Sequence, residues 1–377
     1  MRAPVDAKIW LTTNLQESLD RELDLQKTES QKQNTKSLPP DSIIGSQERA
    51  ASDVEPGESS DDSALAESRD RRLLELKLMH QYSTSTFDSL LVSTSADATE
   101  IFQSLIPALA LKNDALLYSL YALASLHLAA LDPDNPEVMD AHRSYLDRAL
   151  QAHFQDISNL NQDNADAACT TSSVLRIATF SMLRDRLVIP YTVPFQWLKM
   201  THDSKNIFIQ AWEWIKNEDS LSMRMICRPP AMTMLNKELY EESNRESLKY
   251  LLEPHANEFP SGLDDIEVRV SYEAALSLLG GVQIAIDAGQ ETAADICRRV
   301  IVFPILVPDR FIKLVEESQP RALVIFAHFF ALLVKFRNIW WIQDTGRREI
   351  EGIQSALPDG WQHLMTVPLR AIEEYRD

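Results

Sequence analysis

The chain is poor in glycine. Only 9 of its 377 residues are glycine, against about 7% of the residues in an average protein. Because glycine most readily takes the positive φ angles that tight hairpins require, this scarcity argues against a sheet built from many such turns. It favours an all-α fold.

Cysteine is equally scarce. The three cysteines, Cys169, Cys227 and Cys297, are far apart in the sequence, and none forms a CxxC pair. An odd number of scattered cysteines excludes a disulfide framework, and it is typical of a reducing compartment. Free cysteines are usually small buried hydrophobic residues, so we expect neither a metal cluster nor a cysteine nucleophile.

Positive charge is also in short supply. Lysine and arginine together number 37 against 56 aspartates and glutamates, which gives a formal net charge of −19. Non-specific affinity for DNA comes mainly from basic side chains that neutralise phosphates. The densest basic run, at residues 69–72, is too short for a nucleic-acid patch. The chain is therefore not expected to bind DNA by itself.

No apolar run is long enough for a membrane span or a signal peptide. The longest, at residues 322–334, contains His328 and falls short of the roughly 20 residues that a bilayer requires. Residues 1–14 lack the apolar core of a signal peptide. We therefore expect a soluble, intracellular protein without a membrane span.

The composition of residues 1–70 differs from that of the remaining chain. Residues 26–70 are rich in Ser, Asp, Glu and Gln and contain no aromatic residue. Such a segment cannot bury enough apolar surface to offset the entropy lost on ordering. We predict a mostly disordered acidic N-terminal segment, with one short amphipathic helix within residues 8–25, followed by a helical domain at residues 71–377.

Beyond residue 70 the hydrophobic pattern predicts a succession of helices. Asn113 or Asp114 is expected to cap one that stops before Pro133, and Pro136 to start another. Residues 321–341 are apolar nearly all round, which is typical of a helix buried at the centre of a bundle. Other helices are predicted at residues 165–187, 195–216, 264–288 and 291–302, with a last one at 347–357.

The only strand-like run lies at residues 300–307. Pro304 interrupts it, and because proline cannot donate to a sheet ladder, we expect no sheet.

Four motifs follow one another along residues 72–368. They are LELKLMHQY at residues 74–82, LYALASLHLA at 120–129, PRALVIFAHFF at 320–330 with Trp340 and Trp341 after it, and Trp361 with Pro368. In this order and spacing they resemble the C-terminal regulatory domain of fungal zinc-cluster (Zn2Cys6) transcription factors, especially the branch of the sterol uptake control proteins. One departure is Val367, which stands where the family has a second tryptophan.

The resemblance implies a transcription regulator that lacks its DNA-reading module. Family members begin with six cysteines that hold two zinc ions, and this module inserts a helix into the major groove. Three scattered cysteines cannot supply it, so zinc is expected only in a cluster outside this chain. Either the chain is truncated or it is a natural variant that regulates without touching DNA. DNA binding is then expected only if a zinc cluster is supplied upstream.

The resemblance also implies partners and a location. We expect a homodimer, transcriptional coregulators and a nuclear protein that shuttles with the cytoplasm. The main alternative is a helical interaction module with no DNA contact and no small ligand of its own.

The sterol-responsive branch holds a sterol in a hydrophobic cavity. The resemblance therefore implies a pocket for a sterol or another lipid, lined by Phe326, Phe329, Phe330, Leu333, Trp340 and Trp341. The alternative is that these side chains only pack the core, because a buried helix must be apolar with or without a ligand. Gly280 and Gly281 interrupt a good helix pattern, and close packing explains them better than room for a ligand.

No metal site is expected. His80, His127 and His328 lie within the motifs, but they lack ExxH or HExxH spacing. We expect buried, hydrogen-bonded histidines instead of ligands.

No catalytic residue is expected either. Asp264 and Asp265 are the only trace of the aspartate-rich site of a terpenoid synthase, and Val268 stands where its second ligand is needed. An N-terminal helix cap explains these acids better. Because GxSxG, Walker and GxGxxG motifs are missing as well, an enzyme is the most distant alternative.

Overall fold

The computed structural model describes residues 61–90, 96–216, 220–226, 236–254 and 263–375. Within these ranges the chain forms helices and turns without a strand, which confirms the predicted all-α fold. The chain divides into two units, residues 1–74 and residues 75–377, and the site described below lies in the second. Residues 1–60 lie outside the described residues. They include most of the segment predicted to be disordered and the helix predicted within residues 8–25.

The helices account for most of the described chain. In chain order they are α1 Asp61–Gln81, α2 Phe87–Ser89, α3 Ala96–Glu100, α4 Ile106–Ala110, α5 Asp114–Leu131, α6 Pro136–Ser158, α7 Ala165–Ser181, α8 Phe195–Ile215, α9 Leu221–Ile226, α10 Ile266–Ala288, α11 Ala293–Ile301, α12 Phe303–Leu306, α13 Asp309–Glu316, α14 Pro320–Val334, α15 Thr345–Ala356 and α16 Thr366–Glu374. Helix α1 thus begins inside the segment that its composition assigned to the linker.

Shorter helical turns join these elements. Two are π-helical, Tyr82–Thr86 and Ile101–Leu105. Four are 3-10 helices, Met182–Asp185, Lys237–Tyr240, Glu242–Leu252 and Asp359–Met365. The longest of these, Glu242–Leu252, is called the 3-10 segment below.

Helix starts follow the capping signals in the sequence. The side chain of Asn113 accepts a hydrogen bond from the backbone N–H of Leu116 at 2.8 Å and caps α5. Asn135 accepts from the N–H of Glu137 at 3.2 Å, with Pro136 in the first turn of α6. Such side chains satisfy N–H groups that have no partner within the helix. Both predicted starts are confirmed.

Asp265 caps α10 in the same way. Its carboxylate accepts from the backbone N–H groups of Glu267 at 2.8 Å and Val268 at 3.3 Å. The capping interpretation is therefore confirmed for Asp265.

Several helix ends differ from the prediction. The strand-like run forms the end of α11 and the whole of α12, with Pro304 in a first turn where its missing N–H costs little. The helix at Thr345–Ala356 is not the last, because α16 follows it with Pro368 inside. The central helix ends at Val334 instead of continuing to residue 341.

Helix α14 is the buried centre of the domain. Every residue from Arg321 to Phe330 is buried, as are Leu333 and Val334. It packs against α10, α11, α13, α15 and α16. The prediction of a central helix that is apolar all round is confirmed.

Helix α5 is the second strongly apolar element. Among the described residues it alone is long and apolar enough to pass as a membrane span, and 67% of it is buried inside the protein. It packs against α6 and α7, as the core helix of a bundle does.

Gly280 allows the closest helix contact that a glycine makes here. A Cβ atom at this position would lie 1.9 Å from the carbonyl oxygen of Asn244, which belongs to the 3-10 segment. At Gly281 the nearest atom is the side-chain nitrogen of Asn244, at 3.6 Å. Helix α10 continues unbroken through both residues. Close packing therefore explains Gly280.

We expect Gly280→Ala to destabilise the protein and Gly281→Ala not to. The first forces a methyl group into a backbone oxygen, at a cost of about 1–3 kcal/mol or more. The second adds helix propensity, with its methyl group in ordinary van der Waals contact with Asn244, and this stabilises by roughly 0.5–1 kcal/mol. Urea unfolding of both variants measures the difference, and equal stabilities would show that the 3-10 segment moves away at no cost.

Candidate functional site

Five of the six predicted ligand-binding residues lie in the core. Phe326, Phe329, Phe330 and Leu333 project from α14 and are fully or almost fully buried. Trp341 is also buried, in the turn after this helix. The sixth residue, Trp340, is half-buried.

The phenylalanines form a packed aromatic cluster. The rings of Phe326 and Phe329 lie 5.6 Å apart and nearly parallel, and Phe303 of α12 stacks on Phe329 at 4.9 Å. Phe330 is tilted against Phe326 with ring centres 4.6 Å apart. Offset and tilted pairs at these distances add to the stabilisation from burial alone. The cluster therefore fills the space between α12 and α14.

The two tryptophans join the central helix to the segment after α1. The indole N–H of Trp341 donates to the carbonyl of Leu90 at 3.2 Å. That of Trp340 donates to the hydroxyl of Ser89 at 2.9 Å, while its ring stacks on His127 at 4.7 Å. Both polar groups are satisfied within the protein, as buried indoles require.

Three of the predicted residues line one small cavity between α7, α8, α11 and α14. Its volume is about 10 Å³, which is enough for roughly one water molecule. Pockets for lipid-sized ligands measure roughly 300–1,000 Å³. The lining residues are Arg176, Ile177, Phe180, Trp197, Ile301, Phe329, Leu333 and Trp341. Five of the six residues thus pack the core in this conformation, and the lipid pocket stays a prediction.

Two polar side chains on α14 connect it to the 3-10 segment. His328 hydrogen-bonds the carbonyl of Val324 through Nδ1 at 2.8 Å and the hydroxyl of Tyr250 through Nε2 at 2.9 Å. Since a carbonyl only accepts, Nδ1 carries the proton and Nε2 accepts from Tyr250. A neutral imidazole fits both bonds.

Arg321 is the second of these side chains. Its guanidinium donates to the carbonyls of Leu251 and, at 2.8 Å, Glu253. It also lies over the ring of Trp361, 5.3 Å from its centre. The arginine of the third motif and the tryptophan of the fourth therefore meet in space.

The histidines follow the prediction in two cases out of three. His127 and His328 are buried and hydrogen-bonded, His127 to the Thr86 hydroxyl at 3.0 Å. His80 is exposed, so the expectation that it is buried is wrong. Helix α1 is covered on the side where Leu78 is buried, whereas the side chain of His80 is exposed to solvent.

The sequence did not predict Arg176 and Trp197, the two residues lining the cavity that have hydrogen-bond donors in their side chains. Arg176 is the only charged residue between Asp166 and Arg184, within the apolar and small residues of α7. An isolated charge in such a run is a signal for a buried polar site. Trp197, at the start of α8, carried no comparable signal.

Comparison with known proteins finds a similarity over part of the chain. Residues 77–183 match the fungal specific transcription factor domain. The match covers residues 77–82 of the first motif, the whole of the second motif, and the helices up to α7.

Relatives extend the similarity beyond this domain. A Zn(2)-C6 fungal-type transcription factor of Gibberella zeae is 27% identical over 313 residues, covering 78% of this chain and 61% of the relative. The Zn(2)-C6 fungal-type transcription factor afumD of Aspergillus fumigatus is 28% identical over 257 residues, covering 68% and 66%. Sterol uptake control protein 2 of Candida albicans is 22% identical over 306 residues, covering 76% and 40%. The chain thus spans under two thirds of the length of each relative.

We expect the stability of the folded protein to fall as the pH drops from 6.5 to 4, in part through His328. Burial lowers the pKa of this imidazole from 6.5 to about 4. In that window the unfolded chain takes up a proton that the folded chain does not, so the free energy of unfolding decreases, by about 3 kcal/mol at most for this group.

His328→Gln should therefore flatten the pH dependence of the unfolding free energy. His80→Gln, at an exposed position in the first of the four motifs, is the matched control variant. Some dependence will remain, because burial also lowers the pKa of His153 to about 4. Denaturant unfolding at several pH values tests this, and an unaltered slope in His328→Gln would contradict it.

Proposed function

Since the chain carries a fungal specific transcription factor domain at residues 77–183, we propose that it is the regulatory part of a transcription regulator related to the zinc-cluster factors. The observation that supports this most is the length of the similarity, 313 residues with the Gibberella zeae factor. That span includes far more than the matched domain. The proposed location is the nucleus.

Contact with DNA is assigned to a zinc cluster outside these 377 residues. Three cysteines cannot hold two zinc ions, and a net charge of −19 repels phosphate. The role proposed for the chain itself is contact with other proteins, namely transcriptional coregulators and a second copy of the chain. No reaction is proposed for it.

Response to a lipid is a second, finer proposal. Phe329, Leu333 and Trp341 share one cavity, and the chain is similar to a sterol uptake control protein. A bound sterol would have to displace several core side chains, because the cavity has room for only about one water molecule. Ligand binding and a change in core packing would then be the same event.

A tethering experiment tests the regulatory role. The chain is fused to a DNA-binding domain of known specificity and expressed in yeast with a reporter gene that carries the matching operator. We expect reporter expression to change severalfold, upward or downward, relative to the DNA-binding domain alone. Multiple weak contacts with transcription machinery suffice for such an effect once the fusion is held at the promoter.

Two variants control for folding. Gly281→Ala should act like the unaltered chain, whereas Gly280→Ala should lose the effect in proportion to its loss of stability. Quantitative immunoblots of nuclear extracts correct for protein amount. An unaltered fusion that is folded, nuclear and bound to the operator, yet leaves the reporter unchanged, would refute the proposal.

A further inference from the structure

Two of the residues that line the small cavity between α7, α8, α11 and α14 each have a buried hydrogen-bond donor without a partner. The first is Arg176 on α7. Its Nε atom is buried and has no acceptor, and within the described residues no carboxylate pairs with its guanidinium. Burial lowers the pKa of this guanidinium to about 10, so it remains charged near neutral pH. The residue as a whole is half-buried, and its charge has no counter-charge among the described residues.

Two other arginines of the domain have partners within the protein. Arg186 forms a two-pronged ion pair with Glu349, at 2.5 and 2.8 Å. Arg321 donates to two backbone carbonyls. This is the usual pattern, because a buried charge without compensation is strongly destabilising. Arg176 departs from it.

Trp197 provides the second donor. Only 7% of this residue is exposed, and its indole N–H is buried without an acceptor. Its ring packs edge-on against Phe180 at 5.3 Å, which holds the indole against the cavity. Buried indoles normally find an acceptor. Two residues with an unpartnered buried donor, one of them charged, therefore line the same small cavity.

The remaining walls of the cavity are apolar. They consist of Ile177, Phe180, Ile301, Phe329, Leu333 and Trp341. A water molecule would satisfy the two donors but would not neutralise the guanidinium. An inorganic anion would neutralise the guanidinium, but the remaining oxygens of the anion would lie against the apolar walls. The chemical complement of these walls is one anionic acceptor group attached to an apolar body.

We propose that this cavity is a binding site for a monocarboxylic acid with an apolar body. Arg176 donates to the carboxylate, and Trp197 donates a further hydrogen bond from Nε1. The present volume of about 10 Å³ admits a group of the size of a carboxylate oxygen. The apolar body enters by displacing aromatic side chains such as Trp341. This inference rests on the proposed lipid response and names the chemical class of its ligand.

Binding is measured by calorimetry on the purified full chain with decanoate, decan-1-ol and acetate. Decanoate should bind one to one and raise the melting temperature. Decan-1-ol shares the apolar body but lacks the charge, and acetate shares the charge but lacks the body. Each should bind at least about 10-fold more weakly, since a hydrogen bond to a charged group accounts for roughly a 10- to 100-fold change in affinity.

Three variants identify the residues responsible. Arg176→Met keeps the length of the side chain and should weaken decanoate binding roughly 10- to 100-fold, with little effect on decan-1-ol. Arg176→Lys keeps the charge, and its affinity for decanoate should lie between that of Arg176→Met and that of the unaltered chain. Trp197→Phe keeps the ring and should weaken binding by roughly 3- to 10-fold. Decanoate affinity that is unchanged in Arg176→Met would overturn the proposal, as would equal affinity for decan-1-ol.

The ligand-free variants provide an independent check. If Arg176 has no counter-charge within the protein, Arg176→Met should leave the melting temperature unchanged or raise it. A fall of more than about 5 °C would mean that Arg176 is paired inside the protein, and it would overturn the proposal. The reporter assay separates the two hypotheses. An active tethered fusion with no decanoate binding would refute the ligand and leave the regulatory role intact.

Discussion

Covering helix α14 is the constraint on which the domain depends. A helix that is apolar on every side cannot face water anywhere, so other elements must surround it. Helices α10, α11, α13, α15 and α16 supply that cover. The few polar side chains on the helix must then find partners within the protein. His328 and Arg321 do so on Tyr250 and on the carbonyls near the end of the 3-10 segment.

The same constraint explains the close contact at Gly280. The 3-10 segment can bring Tyr250 to His328 only if it also lies against α10. A side chain at Gly280 would keep the two elements apart, because its Cβ would meet a backbone oxygen. Gly280 thus lets the 3-10 segment lie close to α10 while its Tyr250 hydrogen-bonds His328 of the central helix.

The candidate site and the hydrophobic core share their residues. Phe329, Leu333 and Trp341 contribute to the packing of α14 and also line the cavity beside Arg176 and Trp197. Any ligand that enters there changes the packing around the central helix. Binding at this position would therefore be coupled to the conformation or stability of the entire domain, which is what a regulatory domain requires. Contact with DNA is a different role, because a net charge of −19 disfavours binding to the phosphate backbone.

Local patterns in the sequence determined most of the helices. The starts at Asn113 and Asp265 were predictable because a capping side chain bonds N–H groups two or three residues away. The start at Pro136 was predictable because proline suits the first turn of a helix. The burial of α14 was predictable because its apolar residues cover every face. The end of that helix at Val334 and the existence of α16 were not, since both depend on neighbours that are distant in the chain. The family resemblance in four motifs was likewise readable from the residues alone.

Only the tertiary structure decided what surrounds the predicted ligand residues. Whether aromatic side chains enclose a pocket or fill it depends on the distances between helices, which no hydrophobic pattern records. The partners of Trp340 and Trp341 lie at Ser89 and Leu90, far away in the sequence. The unpaired donors of Arg176 and Trp197 could not be read from the chain either. A donor is without a partner only when none of the atoms around it is a suitable acceptor. Those atoms come from distant parts of the chain and meet only in the folded protein.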